Sequence, residues 1–348
     1  MKRPTTMRAG FFDGVGEMAV REAEVPSPPP GEVLLRVEAC GVCGTDHHIY
    51  AGQLTEGVAP PVVLGHEIAA RVEAVGAGVT GLHEGQFCAV DPVIGCGQCP
   101  MCHAGRPNLC PAPTLVGYRR NGGFEQFLLV PAAKVVAMDE RVGPAGGVLC
   151  ETLACVLNGY DRLGFTAGAT ALVLGAGTVG LLWNAMLRSS PCRKLVQTEP
   201  AAFRRDRAAR LGADAVIDPG GEDLPARLRA ELGGGADFIV DATGDPAAVQ
   251  QALPLLAPGG TFLIFGVCPE GSSVRIDPFE LYSKEARIIA SKMPPRTLGR
   301  AARLIESGRI PCQEIVTGTF ALDEVARRVA GFNDHRDSHV KVAIDPWA

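Results

Sequence analysis

Between residues 170 and 188 an apolar run, TALVL, enters a glycine-rich turn, GAGTVG at 175–180, and leaves it as TVGLLWNAMLR. A strand that becomes a helix across glycines places the unpaired N–H groups of the helix N-terminus at the end of a sheet. Gly175, Gly177 and Gly180 then allow a tight turn and a close approach of backbone to a pyrophosphate, with Thr178 and Val179 between them. The texture repeats downstream as KLVQTE with FRRDRAARLGA, DFIVDATG with PAAVQQALPLL, and TFLIFGV. Strands that alternate with helices predict an α/β architecture, a doubly wound parallel sheet of the Rossmann kind. Glu199 closes KLVQTE, 19 residues after Gly180. A carboxylate there accepts hydrogen bonds from ribose hydroxyls and repels a 2′-phosphate, so NAD is expected rather than NADP. Arg204 and Arg205 are the counter-indication, since either could pair with a phosphate or simply lie on a solvated helix face.

The chain ahead of this region has a different rhythm. GEVLLRVEAC at 31–40 and PVVLGHEIAARVEAVG at 61–76 read as short β-rich runs broken by Gly and Pro clusters. After residue 292 come a helical TLGRAARLIESGRI, a strand-like QEIVTGTFAL, a short helix in DEVARRVAGF and a last strand, KVAI, expected to pack back on the first unit. A chain of 348 residues, 47% hydrophobic and 20% charged, is large enough for two such units and too apolar for disorder. The net charge of −5 and the lack of a Lys/Arg run exclude nucleic acid as an expected partner. MKRPTTMRAGFF lacks a signal-peptide core, and no span reaches membrane-helix length free of charge or turn residues, so a cytoplasmic location without membrane attachment is expected.

Twelve cysteines would suggest disulfides in a small secreted scaffold, but this chain is far larger and several cysteines fall at metal-ligand spacing. Cys96, Cys99, Cys102 and Cys110 form C-x2-C-x2-C-x7-C in one loop. Four thiolates so gathered can close a tetrahedral structural zinc site, and spacing alone also admits an iron–sulfur cluster. His103 reads as a surface histidine. A second constellation mixes donor types: Cys43 in CGTDHH, His66 and Glu67 in GHE, and Glu151 in CETLACVLNG. Two anionic donors and one imidazole neutralise a zinc ion and leave a fourth position for a water or an alcohol, whose hydroxyl the ion acidifies.

Taken in order, GVCGTDHHIY at 41–50, GHE at 65–67, the four-cysteine loop, ETLAC at 151–155 and GAGTVG resemble the zinc-dependent medium-chain dehydrogenase/reductase family, on the branch of sorbitol and threonine dehydrogenases. The resemblance covers nearly the whole chain. It implies a GroES-like β-rich catalytic domain, residues 1–154 with 293–348, and a Rossmann cofactor domain, residues 155–292. It implies an enzyme that passes hydride between a secondary alcohol or polyol and NAD, with two zinc ions per chain. Cys43 and His66 would be catalytic zinc ligands, Asp46 would orient His66, Thr45 would touch the substrate hydroxyl, and His48 would end a proton relay. Arg204, Gly266 and Val267 would lie along the cofactor. The chain departs from the alcohol-dehydrogenase pattern where a third ligand cysteine aligns with Glu151, which leaves Glu67 and Glu151 as alternative ligands, direct or through water.

Two other readings compete: a zinc-independent NADPH enone or quinone reductase, and a noncatalytic zinc-bound protein that retains the fold. Cys43, His66 and Glu199 speak against the first, Thr45 and His48 against the second. Substrate identity depends on pocket shape, for which Tyr50, Phe124 and SKMPP at 291–295 are candidate walls. A homodimer or homotetramer is expected from the resemblance, with ARIIAS at 286–291 near the contact.

Overall fold

The computed structural model describes residues 3–348. The β-rich unit is organised by the strand Glu32–Gly41, whose Val33, Leu34, Leu35 and Val37 are all buried. It pairs antiparallel with Glu67–Val75 on one side and with Phe127–Pro131 on the other. At its far end it takes up the C-terminal strand Lys341–Asp345, with Ala343 opposite Gly41 and Ile344 opposite Cys40. These belong to a seven-stranded sheet that also holds Phe87–Val90, Val135–Ala137 and Val316–Ala321. The C-terminal strand thus lies in the sheet of the first unit.

The run at 61–76 is two strands rather than one. Val62–Val63 pairs with Thr6–Gly14 in a separate three-stranded sheet, and Glu67–Val75 joins the seven-stranded one. The chain changes sheets at Gly65, which has φ +91°, and this bend carries His66. QEIVTGTFAL also divides. It begins as a helical turn, Cys312–Ile315, because Cys312 and Ile315 at i, i+3 both face the core after Pro311; the strand starts at Val316.

The second unit has the expected parallel sheet, in the order Ala215–Ile217, Lys194–Thr198, Thr170–Leu174, Ala236–Asp241, Leu256–Ile264, Arg287–Ala290. The chain winds outward from Thr170–Leu174 in one direction, then crosses to Ala236–Asp241 and winds outward in the other. The reversal opens a crevice at the carboxyl ends of those two strands, and residues 175–180 lie at its edge. Both faces of the sheet are covered, so its central strands are apolar throughout: Leu172, Val173, Val196, Ile239 and Val240 are fully buried, each worth about 1.5–3 kcal/mol.

A 21-residue helix, Gly143–Leu163, joins the units. Its first half packs on the β-rich unit, with Gly147 against Ala69, and its second half on the cofactor sheet, with Gly159 against Trp183 and Phe265. By length and composition the segment Glu140–Leu163 could cross a membrane, yet 72% of its apolar window is buried inside the protein. Its apolarity is that of a core helix sandwiched between two units.

Candidate active site

The strand Glu32–Gly41 ends at the first donor. Cys43 caps the short helix Gly44–Tyr50, and its backbone N–H donates to Asp46 Oδ2 at 2.9 Å. Asp46, fully buried, also accepts from Gly65 N at 3.2 Å through Oδ1. One carboxylate thus ties the turn bearing Cys43 to the bend bearing His66. The same Oδ1 faces His66 Nδ1 at 3.6 Å, on the side where an orienting carboxylate belongs.

Donor atoms of Cys43, His66 and Glu67 all lie within 4.8 Å of one another. Glu151 is outside this group. It lies on the junction helix, buried, and its Oε1 accepts from Cys155 Sγ at 3.3 Å. Glu67 is held by two residues that sequence reasoning did not select. Thr152 Oγ1 donates to its Oε1 at 2.8 Å, and Lys341 Nζ forms a short ion pair with its Oε2. Lys341 is 3% exposed and also donates to Val42 O at 3.0 Å. In the sequence it was one polar letter in a terminal strand, with nothing nearby to mark it.

The electrostatics show what this cluster lacks. Burial alone would lower the His66 pKa, but Asp46 and Cys43 outweigh it and hold the imidazole well above its ordinary value. Burial, with Glu67 nearby, pushes Glu151 up to about 7. Burial would also lower the Lys341 amine, and Glu67 keeps it raised. Thiol, imidazole and several carboxylates thus crowd around a single buried lysine. A divalent cation satisfies that demand, and the S, N and O donor set suits zinc.

Thr45 is half-buried, two residues after Cys43. His48, farther along the same helix, is half-buried and its Nδ1 donates to Gln53 Oε1 at 2.5 Å. His47 turns the other way, to Val329 O at 3.0 Å. Of the expected pocket walls, Phe124 is corrected. It is fully buried in the core of the β-rich unit, against Gly65, because the chain crosses beneath the bend rather than over the cleft. Tyr50 gives its hydroxyl to Gly16 O at 2.9 Å. Lys292 O, in the SKMPP stretch, accepts from Asn108 and Asn158. Tyr118 is the aromatic at the donors instead, its ring centre 6.4 Å from that of His66. Burial pushes its phenol up to about 12. Sequence reasoning did not select Tyr118.

Cys96, Cys99, Cys102 and Cys110 form a separate cluster, with all four sulfurs within 4.8 Å of one another. Backbone N–H groups point at the sulfurs: Cys96 N reaches Cys110 Sγ at 3.3 Å and Cys102 N reaches Cys99 Sγ at 3.4 Å. Such donors favour thiolates, and four sulfurs gathered this closely could hold a metal ion. His103 is exposed, as expected.

At the crevice, Gly175 has φ +90°, a conformation that favours glycine, and the helix Thr178–Arg188 starts directly after Gly177. A Cβ on Gly177 would meet nothing nearer than Arg204 Nη1 at 3.8 Å, so the space before the turn is open, as a bound pyrophosphate requires. Glu199 is 4% exposed and accepts from Ala176 N at 2.8 Å and Ala201 N at 3.0 Å. Arg204 reaches across to His339 O in the β-rich unit. Arg205 pairs with Asp218 at 3.0 Å. Gly266 N donates to Asp241 O at 2.8 Å, and Val267 beside it is 76% exposed. The turn and the metal donors are linked by consecutive residues: Thr178 Oγ1 donates to Val340 O at 3.5 Å, and Lys341 follows with its bond to Glu67.

A doubly wound dinucleotide sheet joined to a β-rich unit that carries S, N and O donors defines a metal-linked dehydrogenase. Comparison agrees. Residues 29–140 match the alcohol dehydrogenase GroES-like domain and residues 178–307 the zinc-binding dehydrogenase domain. L-galactonate-5-dehydrogenase of Escherichia coli K12 is 32% identical over 324 residues, 92% of this chain and 94% of the relative. A zinc-binding dehydrogenase from Sinorhizobium meliloti 1021, bound to NADP, superposes with TM-score 0.93 at 35% identity, covering 99% of this chain and 100% of the other. An alcohol dehydrogenase (rspB) from E. coli CFT073, complexed with NADH, gives TM-score 0.91 at 28% identity, covering 98% and 100%. The chain belongs to the zinc-dependent medium-chain dehydrogenase/reductase family and is an oxidoreductase of its alcohol and polyol dehydrogenase class.

Proposed function

We propose that the protein transfers hydride between a secondary alcohol or polyol and NAD, with a catalytic zinc held by Cys43, His66 and Glu67 and a second, structural zinc held by Cys96, Cys99, Cys102 and Cys110. The observation that supports this reading is the link from the glycine turn through Val340 and Lys341 to Glu67, which ties the turn to the metal donors. When bound, zinc supplies Lewis acidity that lowers the pKa of a hydroxyl, and the nicotinamide takes the hydride.

The chain's own residues supply the rest. Asp46 fixes the His66 ring. Thr152 and Lys341 fix Glu67, so that carboxylate cannot swing freely, and Glu151 stands behind it as an acid that acts on the site directly or through water. Thr45 accepts the substrate proton, and His48, at the solvent edge, releases it. Gly175, Gly177, Thr178, Val179 and Gly180 receive the pyrophosphate; Glu199 meets the adenosine ribose, Arg204 the adenine side, and Gly266 with Val267 the nicotinamide half.

We assign residues 1–154 with 293–348 to the catalytic domain and 155–292 to the cofactor domain; the division falls within the junction helix. Arg287–Ala290 is the edge strand of the parallel sheet, and Phe279 and Tyr282 nearby are 75% and 80% exposed, which supports a homodimer or homotetramer built on that edge. A cytoplasmic location completes the reading. The decisive experiment combines metal analysis with specificity constants for NAD and NADP over simple alcohols, polyols, sugar acids and amino alcohols. Two zinc ions per chain, a preference for NAD and turnover of a secondary alcohol are expected; turnover unaffected by loss of metal would sink the proposal.

A further inference from the structure

Two side-chain amides sit where this fold calls for apolar residues. Asn184 is in the middle of the helix Thr178–Arg188 and Gln197 is in the strand Lys194–Thr198; both are fully buried. They form one directed chain. Asn184 Nδ2 donates to Ala208 O at 2.9 Å and to Gln197 Oε1 at 2.9 Å, and Gln197 Nε2 donates to Gly175 O at 2.8 Å. Both ends are carbonyls, which only accept, so the orientation of each amide is fixed. Asn184 Oδ1 is left without a partner. A buried acceptor left unpaired is a cost to stability, which a residue chosen for folding alone would avoid.

The end point of the chain explains its use. Gly175 O lies ahead of the helical ladder, whose first bond at this end runs from Leu181 N to Gly177 O. It is also hemmed in, since a Cβ on Gly180 would lie 2.1 Å from it. The other side of the same peptide group, Ala176 N–H, donates to Glu199 Oε2 at 2.8 Å. Gln197 and Glu199 are two apart at the end of one strand, on one side of it, and they grip the 175–176 peptide from both sides. Ala208, at the other end, lies one turn beyond Arg204 on the helix Ala202–Arg210.

We propose that Gln197 and Asn184 are positioning residues for the dinucleotide: they hold the Gly175–Ala176 peptide plane, and with it the turn that faces the pyrophosphate, in register with the helix that carries Arg204. This rests on the dinucleotide reading of the crevice. Neither side chain touches the cofactor space, so both act through the backbone they hold.

The test is Gln197→Met, which keeps volume and removes the donor, beside Asn184→Leu, which removes the anchor behind it. Titration of purified, metal-loaded protein with NADH and with NADPH should show Kd raised about tenfold for Gln197→Met, as expected for one lost hydrogen bond, and by less for Asn184→Leu. The KM for the dinucleotide should rise in parallel, while kcat at saturation stays within about twofold of wild type. A lower melting temperature with unchanged Kd would overturn the proposal and assign the amides to folding alone. A fall in kcat with unchanged Kd would overturn it too. If Gln197→Met does not accumulate as folded protein, Asn184→Leu decides by the same Kd. Failure of wild type to bind either dinucleotide is a separate result, which sinks the cofactor reading itself.

Discussion

The two metal-donor clusters are built in opposite ways. Cys96, Cys99, Cys102 and Cys110 come from one loop, with Cys96 exposed, and their sulfurs are organised by N–H groups of that same loop. Cys43, His66 and Glu67 come from two separate turns, with His66 and Glu67 buried and Cys43 half-buried among carboxylates, and depend on Thr152 and Lys341 from far along the chain. A structural clip needs only local geometry and a closed shell. A reactive centre needs an open position, controlled charge and several chain segments brought together, and these only a finished core can supply.

Substitution at one donor of each cluster tests this division most severely. Cys43→Ala should lower kcat/KM by on the order of 10³-fold or more, since the Lewis acid is worth several kcal/mol, with little change in melting temperature. Cys99→Ser should do the reverse and chiefly lower the melting temperature. Steady-state kinetics and calorimetry on both variants, with zinc content, check it; equal destabilisation would erase the distinction.

Next in size is Lys341→Met, with no counterpart in the four-cysteine loop. Removing one partner of a buried ion pair should cost about 3–5 kcal/mol in urea unfolding, because Glu67 is left buried beside other acids. Lys341→Met with Glu67→Gln should recover part of it. His48→Gln comes third. Its half-buried position leaves it open to solvent on one side, where water can substitute, so alcohol oxidation should slow by about 10²-fold or less, at or below the low end of general acid–base assistance, most visibly at low pH. A rate profile over pH 6 to 9 that superimposes on wild type would remove His48 from the relay.

The smallest effect comes from a buried acid outside both clusters. Glu125 is 2% exposed, its side chain accepts from Asn121 Nδ2 at 3.2 Å, and burial holds its pKa well above the ordinary carboxylate value. A raised carboxylate pKa means the folded protein holds more protons than the unfolded chain at pH values above 4.5, so stability falls as pH rises through that window. Glu125→Gln should flatten that fall, with the melting-temperature gain over wild type growing from pH 4.5 upward. An equal gain at every pH would show that Glu125, like Glu67, is balanced by a partner.

The legibility of each feature follows from its sequence range. The glycine turn, the strand–helix alternation and the four-cysteine loop are written in contiguous letters and could be read directly. The junction helix Gly143–Leu163 could not, because Gly143, Gly146 and Gly147 in its first two turns are poor helix formers. Gly147 is there so that the helix can press on the sheet: a Cβ would lie 2.5 Å from Ala69 Cβ, and packing overrides propensity. Phe124 was misread for the converse reason, since one aromatic after two glycines is the same string whether it lines a cleft or fills a core.

By itself, then, the sequence determined what repeats or clusters locally: the parallel sheet, the β-rich partner, the thiolate quartet, and the residue types fit for zinc and for a dinucleotide. Only the tertiary structure decided which carboxylate stands with Cys43 and His66, that Lys341 and Thr152 hold it, that Tyr118 rather than Phe124 approaches the donors, and that Gln197 and Asn184 grip the turn. Hydrogen bonds and ion pairs between residues tens to hundreds of positions apart leave no periodicity and no spacing. They exist only once burial has removed water from both partners and given each a single neighbour to answer it.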